Sequence, residues 1–284
     1  MNPNQASVLQ DQLAGAIGTI DHVVIAVDGL AQAAKTYRQL GFTLSTRGVH
    51  SAALGTSNHT IMLARDYFEL LAVESPTERN SEWRRVIASG GGLAGMAMTT
   101  QDPHAARAHW LAAGLSPETP IKFARSVPRP DGSVLEARFE VVSLDEMPDT
   151  GLRLFVCSQP TREAVWLPEL VSHANTAVAI RRLVLGCPDP ERSAAQWQRA
   201  LPAARRVPGG GGVTLDTGRH QLVLTVRNSG KVRAVGIDYA VADLSICRAV
   251  LDRAQVPLEG TDTRLVVPAK FACNVTLGFE AAIH

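Results

Sequence analysis

The chain has 284 residues, 45% hydrophobic and 19% charged, a balance that suits a packed globular protein and excludes a disordered one. Its 28 Lys and Arg against 27 Asp and Glu leave a net charge of +1, so nucleic acid and anionic membrane surfaces are not expected as partners. Cys157, Cys187, Cys247 and Cys273 are scattered with no CxxC pair, which excludes a zinc knuckle or a disulfide frame and predicts reduced thiols of a cytoplasmic protein. Residues 1–18 are polar and predicted flexible, without the basic and then apolar order of a leader, and no stretch reaches the roughly 18 apolar residues of a membrane span.

In chain order, four strand-like runs are each followed by an Asp placed to cap a helix. The first is Ile20–Val27 with Asp28, then Leu30, Ala33, Ala34, Tyr37 and Leu40 at helical spacing and Gly41 as the stop. Leu93–Thr100 precedes Asp102 and Pro103, with Gly114 closing the helix. Ile180–Cys187 precedes Asp189 and Pro190, and Val235–Val241 precedes Asp243. Asp at an N-cap accepts from an orphan backbone N–H, Pro suits the first turn, and Gly permits the left-handed exit. Four such junctions after four strands constitute a repeat.

Further strands follow each helix: Phe42–Arg47, Thr56–Leu63 and Tyr67–Val73 in the first unit, and Phe123–Ser126, Val134–Leu144 and Leu152–Cys157 in the second. The third offers Val213–Asp216 and Gln221–Val226 beside the Gly209–Gly212 turn, and the fourth Arg264–Val267 and Asn274–Phe279. The fold class is therefore α+β, with four βαβββ modules. They pair as residues 19–158 and 180–284, with the Pro-containing segment 159–179 as linker.

This organisation resembles the vicinal oxygen chelate superfamily, which includes glyoxalase I, extradiol dioxygenases and bleomycin-resistance proteins. The local wording is similar to its glyoxalase-like domain branch. The resemblance rests on Ile20–Val27, Leu40–Thr43, Val49–His50, Gly55–Asn58, Tyr67–Leu71, Arg129–Gly132, and Trp166, His173 and Asn175. It implies two glyoxalase-like domains whose curled mixed sheets form cups with helices outside. It also implies that a first-strand His and a last-strand Glu bind a divalent metal, and His22 and Glu69 match those positions.

Strand alternation puts Ile20, His22, Val24 and Ala26 on one face, and Tyr67, Glu69, Leu71 and Val73 on one face. Imidazole with carboxylate suits Zn, Fe, Mn or Ni. Counting back from the capping Asp, the counterparts of His22 are Met96, Leu183 (or Arg182) and Ile237. Opposite Glu69 stand Arg153 or Phe155, Leu222, and Gly278 beside Glu280. Only the first unit keeps a His and Glu, so the second pair of modules reads as degenerate and metal-free.

His50 and His173 are candidates for a third ligand, a general base or an oxyanion donor, with Glu69 as a catalytic carboxylate. Each is also readable as a loop histidine tying down backbone carbonyls. Asn58, Asn175, Arg125, Arg129 and Arg138 are candidate substrate-binding groups, an Arg fork suiting a carboxylate or vicinal-oxygen ligand. His59 is expected on the helix side or in solvent, and His220 and His284 at the surface. The expected function is small-molecule binding in the first cup, as a metal-dependent lyase, isomerase or dioxygenase, or alternatively as a metal-free binding or resistance protein. The sequence leaves a homodimer open.

Overall fold

The computed structural model describes residues 16–129, 132–144, 151–209, 212–227 and 233–282. Most of the flexible terminus expected at 1–18, the tip of the Arg129–Gly132 stretch, the centre of the Gly209–Gly212 turn and His284 lie outside them. Unit one comprises β1 (Ile20–Ala26), α1 (Leu30–Gln39), β2 (Gly48–Val49), β3 (Thr56–Met62) and β4 (Tyr67–Val73). A connecting helix, α2 (Ser81–Ala88), leads to β5 (Gly92–Thr99), α3 (Pro103–Ala112), β6 (Ile121–Pro128), β7 (Val134–Ser143) and β8 (Arg153–Ser158). Unit three has β9 (Ala177–Cys187), α4 (Pro190–Ala200), β10 (Arg205–Val207), β11 (Gly212–Asp216) and β12 (Gln221–Val226). Unit four has β13 (Arg233–Val241), α5 (Leu244–Arg253), β14 (Glu259–Thr261), β15 (Arg264–Val267) and β16 (Thr276–Ala281).

The strands form two sheets of identical plan, β2-β3-β4-β1-β5-β8-β7-β6 and β10-β11-β12-β9-β13-β16-β15-β14. In each, the first strand of a unit pairs parallel with its last, and the two units join through antiparallel first strands. This is the expected α+β architecture of paired βαβββ modules.

Three of the four expected caps form. Asp102, Asp189 and Asp243 each accept from two backbone N–H groups of the first helical turn. At α1 the N-cap is Gly29, with no side-chain bond, because Asp28 lies one residue too early. Phe42–Arg47 is not a strand. Its backbone is drawn to other partners: Thr43 N–H donates to His173 Nδ1 at 3.0 Å and Ser45 N–H to Thr60 O at 2.9 Å.

The module helices pack on one face of each sheet, and the two helix-bearing faces share one core. Phe42 and Phe68 of the first half meet Tyr239 of the second, with ring centroids 5.4 and 5.3 Å away. Trp110 of α3 donates to Ala200 O of α4 at 2.9 Å. The opposite face of the first sheet is curled into a cup, and its edge strands β2 and β6 approach one another. Linker residues Ala164, Val165 and Leu167 pack against that face. The connecting helix α2, absent from the sequence reading, lies over the cup instead of behind the sheet.

In the second sheet the corresponding face carries ion pairs. Arg182 reaches Asp238 at 3.0 Å and also Glu280, while Arg264 reaches Asp238 at 2.7 Å and Glu280 at 3.3 Å. Gly278 makes room for them, since a Cβ there would sit 1.9 Å from Asp238 Oδ1. Among the described residues no helix is long and apolar enough to cross a membrane.

Candidate functional site

The cup encloses a cavity of about 320 Å³ whose lining includes His22, His50, Asn58, Glu69 and Arg125. His22 reaches it through an irregularity in β1. Against β5, Ile20 pairs with Met98 but His22 with Ala97, so Asp21 is an inserted residue at a β-bulge. The bulge resets the alternation: Ile20, Val23 and Ile25 enter the helix-side core, while His22 turns to the cup. Ile20 and His22, expected on one face, are therefore on opposite faces.

The bulge also lets Asp21 reach its neighbour. Its Oδ2 accepts from His22 Nδ1 at 2.8 Å and from Gln159 Nε2 at 2.6 Å, and its Oδ1 lies 3.4 Å from Arg162 Nη1. With Nδ1–H given to the carboxylate, the Nε2 lone pair of His22 has no protein partner among the described residues. Tyr67 stacks on the imidazole at 4.3 Å and Phe155 meets it edge-on at 5.4 Å. Burial, and then the charge of Asp21, push the Tyr67 phenol well above its ordinary range, which keeps it protonated.

Asn58 on β3 and Glu69 on β4 share the inward face. Asn58 Nδ2 donates to Glu69 Oε2 at 2.5 Å, while Asn58 Oδ1 is buried without a partner among the described residues. His50, just beyond β2, has Nδ1 at 2.7 Å from Thr56 Oγ1. Burial lowers its pKa, Glu69 opposing and Arg125 reinforcing the shift, so a neutral imidazole is favoured. Phe123, Phe139, Phe155, Leu71 and Trp83 of α2 supply the apolar wall.

Four candidates are not brought to this cavity. His173 has both nitrogens committed: Nδ1 accepts from Thr43 N–H at 3.0 Å, so Nε2–H donates to Met62 O at 2.8 Å. Asn175 donates to Leu40 O at 2.8 Å and accepts from Ala177 N–H at 3.1 Å. Both latch the linker to the end of α1. Arg138 pairs with Ala124 across the β6–β7 hairpin and lies on its outer face, bonded to Glu136 at 2.6 Å. Arg129 follows β6 and does not line the cup. His59 lies on the helix side, as expected, with Nδ1 2.8 Å from Ser45 O. His220, expected at the surface, is 1% exposed and bonded to Asp66 at 3.1 Å.

The residues missed by sequence reasoning are Asp21, Tyr67, Trp83 and the three Phe. Asp21 carried a signal. Two adjacent polar residues in the apolar run Ile20–Val27 cannot alternate without burying one carboxylate in the helix-side core, a cost that a bulge removes.

A metal centre of the implied kind needs donors from the partner unit. The ladder puts Ala97, not a ligand, across from His22, and β8 brings Phe155 and Cys157. Met96, counted as the counterpart of His22, points to the helix-side core. Burial, with Asp21 adding to it, raises the Cys157 thiol well above its ordinary range. Among the described residues, no three His, Cys, Asp or Glu side chains gather at one point. The donor set does not fit that centre.

Two curled sheets of paired βαβββ units, with a cup on the face away from the module helices, define the vicinal oxygen chelate fold. The glyoxalase-like domain model matches residues 20–201, more than half of the chain, and the chain belongs to that family. Among solved structures, it is similar to a hypothetical protein from Staphylococcus aureus at 12% identity and a TM-score of 0.70, covering 93% of this chain and 99% of that one. It is also similar to a variant of 4-hydroxymandelate synthase from Streptomyces coelicolor at 10% identity and a TM-score of 0.62, covering 95% of each chain. A fusion of a xylose isomerase-like TIM barrel with 4-hydroxyphenylpyruvate dioxygenase matches at 14% identity and a TM-score of 0.61, covering 95% of this chain and 50% of that one. At such identities these likenesses speak for the fold alone. No curated protein sequence matches significantly.

Proposed function

We propose that the first cup binds a small organic molecule and that His22 exchanges a proton with it, which makes the protein a lyase or isomerase acting without a metal ligand set. The observation that carries this reading is the Asp21–His22 pair at the cavity wall. A buried carboxylate on Nδ1 selects one tautomer, fixes the ring and stabilises the imidazolium formed when Nε2 takes a proton. Tyr67 and Phe155 hold the plane of the ring. Neutral His50 and the Asn58–Glu69 pair supply further polar groups on the same wall, suited to orienting a carbonyl or hydroxyl.

The test is proton exchange. Small carbonyl compounds incubated with the protein in D2O, read by NMR, are expected to lose a carbon-bound proton. His22→Gln is expected to remove the exchange, and Asp21→Asn to slow it by about a hundredfold or more. Exchange that survives His22→Gln, or that requires an added divalent ion, overturns the reading. A pure binding protein would show ligand binding with no exchange in any variant.

A further inference from the structure

The two cups treat their arginines differently. In the second, Arg182 and Arg264 are each matched by Asp238 and Glu280. In the first, Arg153 is matched by Glu118 at 3.0 Å and Ser143 at 3.0 Å. Arg79 also lines it but is exposed, and among the arginines withdrawn from solvent Arg125 is the exception. It lines the first cup half-buried, and among the described residues no carboxylate or hydrogen-bond acceptor meets its guanidinium. Glu69, the carboxylate on the same wall, is instead bonded to Asn58 Nδ2.

Its position is defined by packing. The guanidinium carbon lies 6.0 Å from the centre of the Phe139 ring. Gly48 on the opposite edge strand leaves space for it: a Cβ there would stand 3.4 Å from Arg125 Nη1 and 2.5 Å from Asn58 Oδ1. A cation and an unpartnered acceptor thus converge on one bare backbone position, next to a wall of phenyl rings. A guanidinium withdrawn from water without a counter-ion is costly, and its planar fork matches a carboxylate.

We propose that the ligand supplies the missing counter-ion, and that the first cup selects small ring-bearing carboxylates, with Arg125 holding the carboxylate and Phe123, Phe139 and Phe155 the ring. This rests on the reading of the first cup as the binding site, but not on His22 acting as a base. The cavity volume of about 320 Å³ lies at the lower end for small-molecule sites, which favours one or two rings over a larger skeleton.

The test is calorimetric titration of the full chain with phenylacetate and with its neutral isostere, phenylacetamide. Wild type is expected to prefer the acid by about tenfold or more, the size of a charge-assisted pair. Arg125→Gln is expected to erase the preference, Arg125→Lys to keep part of it, and Arg138→Gln, on the outer face, to leave it intact. Thermal melts identify any variant that fails to fold, and the Arg125→Lys titration then decides. Equal binding of acid and amide by wild type, preference retained in Arg125→Gln, or no binding of either at millimolar concentration overturns the proposal. His22→Gln separates the two ideas, because it is expected to lose the exchange while keeping the acid preference. Acid preference in a wild type that shows no proton exchange supports this proposal and sinks the base. Exchange in wild type with no acid preference does the reverse.

Discussion

His22 and His173 show how one residue type divides between chemistry and structure according to what its nitrogens touch. His22 leaves Nε2 free at the cavity, whereas His173 spends both nitrogens on backbone groups. Because His173 Nδ1 must accept the Thr43 N–H, protonation breaks that bond, and burial holds its pKa below the ordinary 6.5. Burial lowers His50, His59 and His109 in the same direction. A histidine with a depressed folded pKa binds fewer protons folded than unfolded, so its stabilising contribution is complete above the unfolded value and is lost as pH falls through about 6.5 and below. Urea midpoints are therefore expected to fall between about pH 7.5 and pH 5. His173→Gln should flatten that slope and lower stability at neutral pH by about 2 kcal/mol, the cost of stranding buried backbone partners. Ligand binding in the first cup should be unaffected.

At the scale of elements, α2 stands apart from the module helices. It buries no residue fully, and it meets the cup through Trp83. Trp83 lies over Gly95 of β5, where a Cβ would come within 2.8 Å of the indole and 3.3 Å of Val24, and Arg153 stacks at 5.6 Å. Gly95→Ala therefore has to displace the indole, because the central ladder cannot shift. The expected result is faster hydrogen exchange across residues 81–88, at an overpacking cost of about 1–3 kcal/mol. Unchanged exchange there would mean that α2 does not depend on this seat. The strands and module helices were legible because alternation, Asp caps and Gly stops act locally. Glu69, Asn58 and His50 were placed by the same local logic. Asp21 was lost because a bulge is decided by pairing with β5. The choice between Arg125 and Arg138 depends on the register of the β6–β7 hairpin, and the linker groups His173 and Asn175 have no periodicity to read.

For the whole molecule, the decisive feature is that both sheets turn their helices toward one shared core. The family match ends at residue 201, just after α4, whose Trp197 and Ala200 are buried in that core and whose Ala200 O receives the Trp110 indole N–H. A second tie joins the halves in the polar interior. Asp66, between β3 and β4, accepts from Ile180 N–H at 2.9 Å and meets His220 at 3.1 Å, the acid 3% and the imidazole 1% exposed. Separating the halves would expose Phe42, Phe68, Tyr239 and Phe279 together and strand this pair, so neither half has a complete core of its own. Heat is expected to unfold the chain in one transition, with calorimetric and van't Hoff enthalpies agreeing. Asp66→Ala breaks a buried pair and leaves the Ile180 N–H without its acceptor, a loss of about 3–5 kcal/mol. Its effect distinguishes one cooperative unit from two. A shared core predicts a single transition moved to lower temperature, with hydrogen exchange in β1 and in β13 rising together. Independent halves would instead split the calorimetric trace into two peaks, and that outcome would show that the contacts between Phe68 and Tyr239 join two bodies that fold separately.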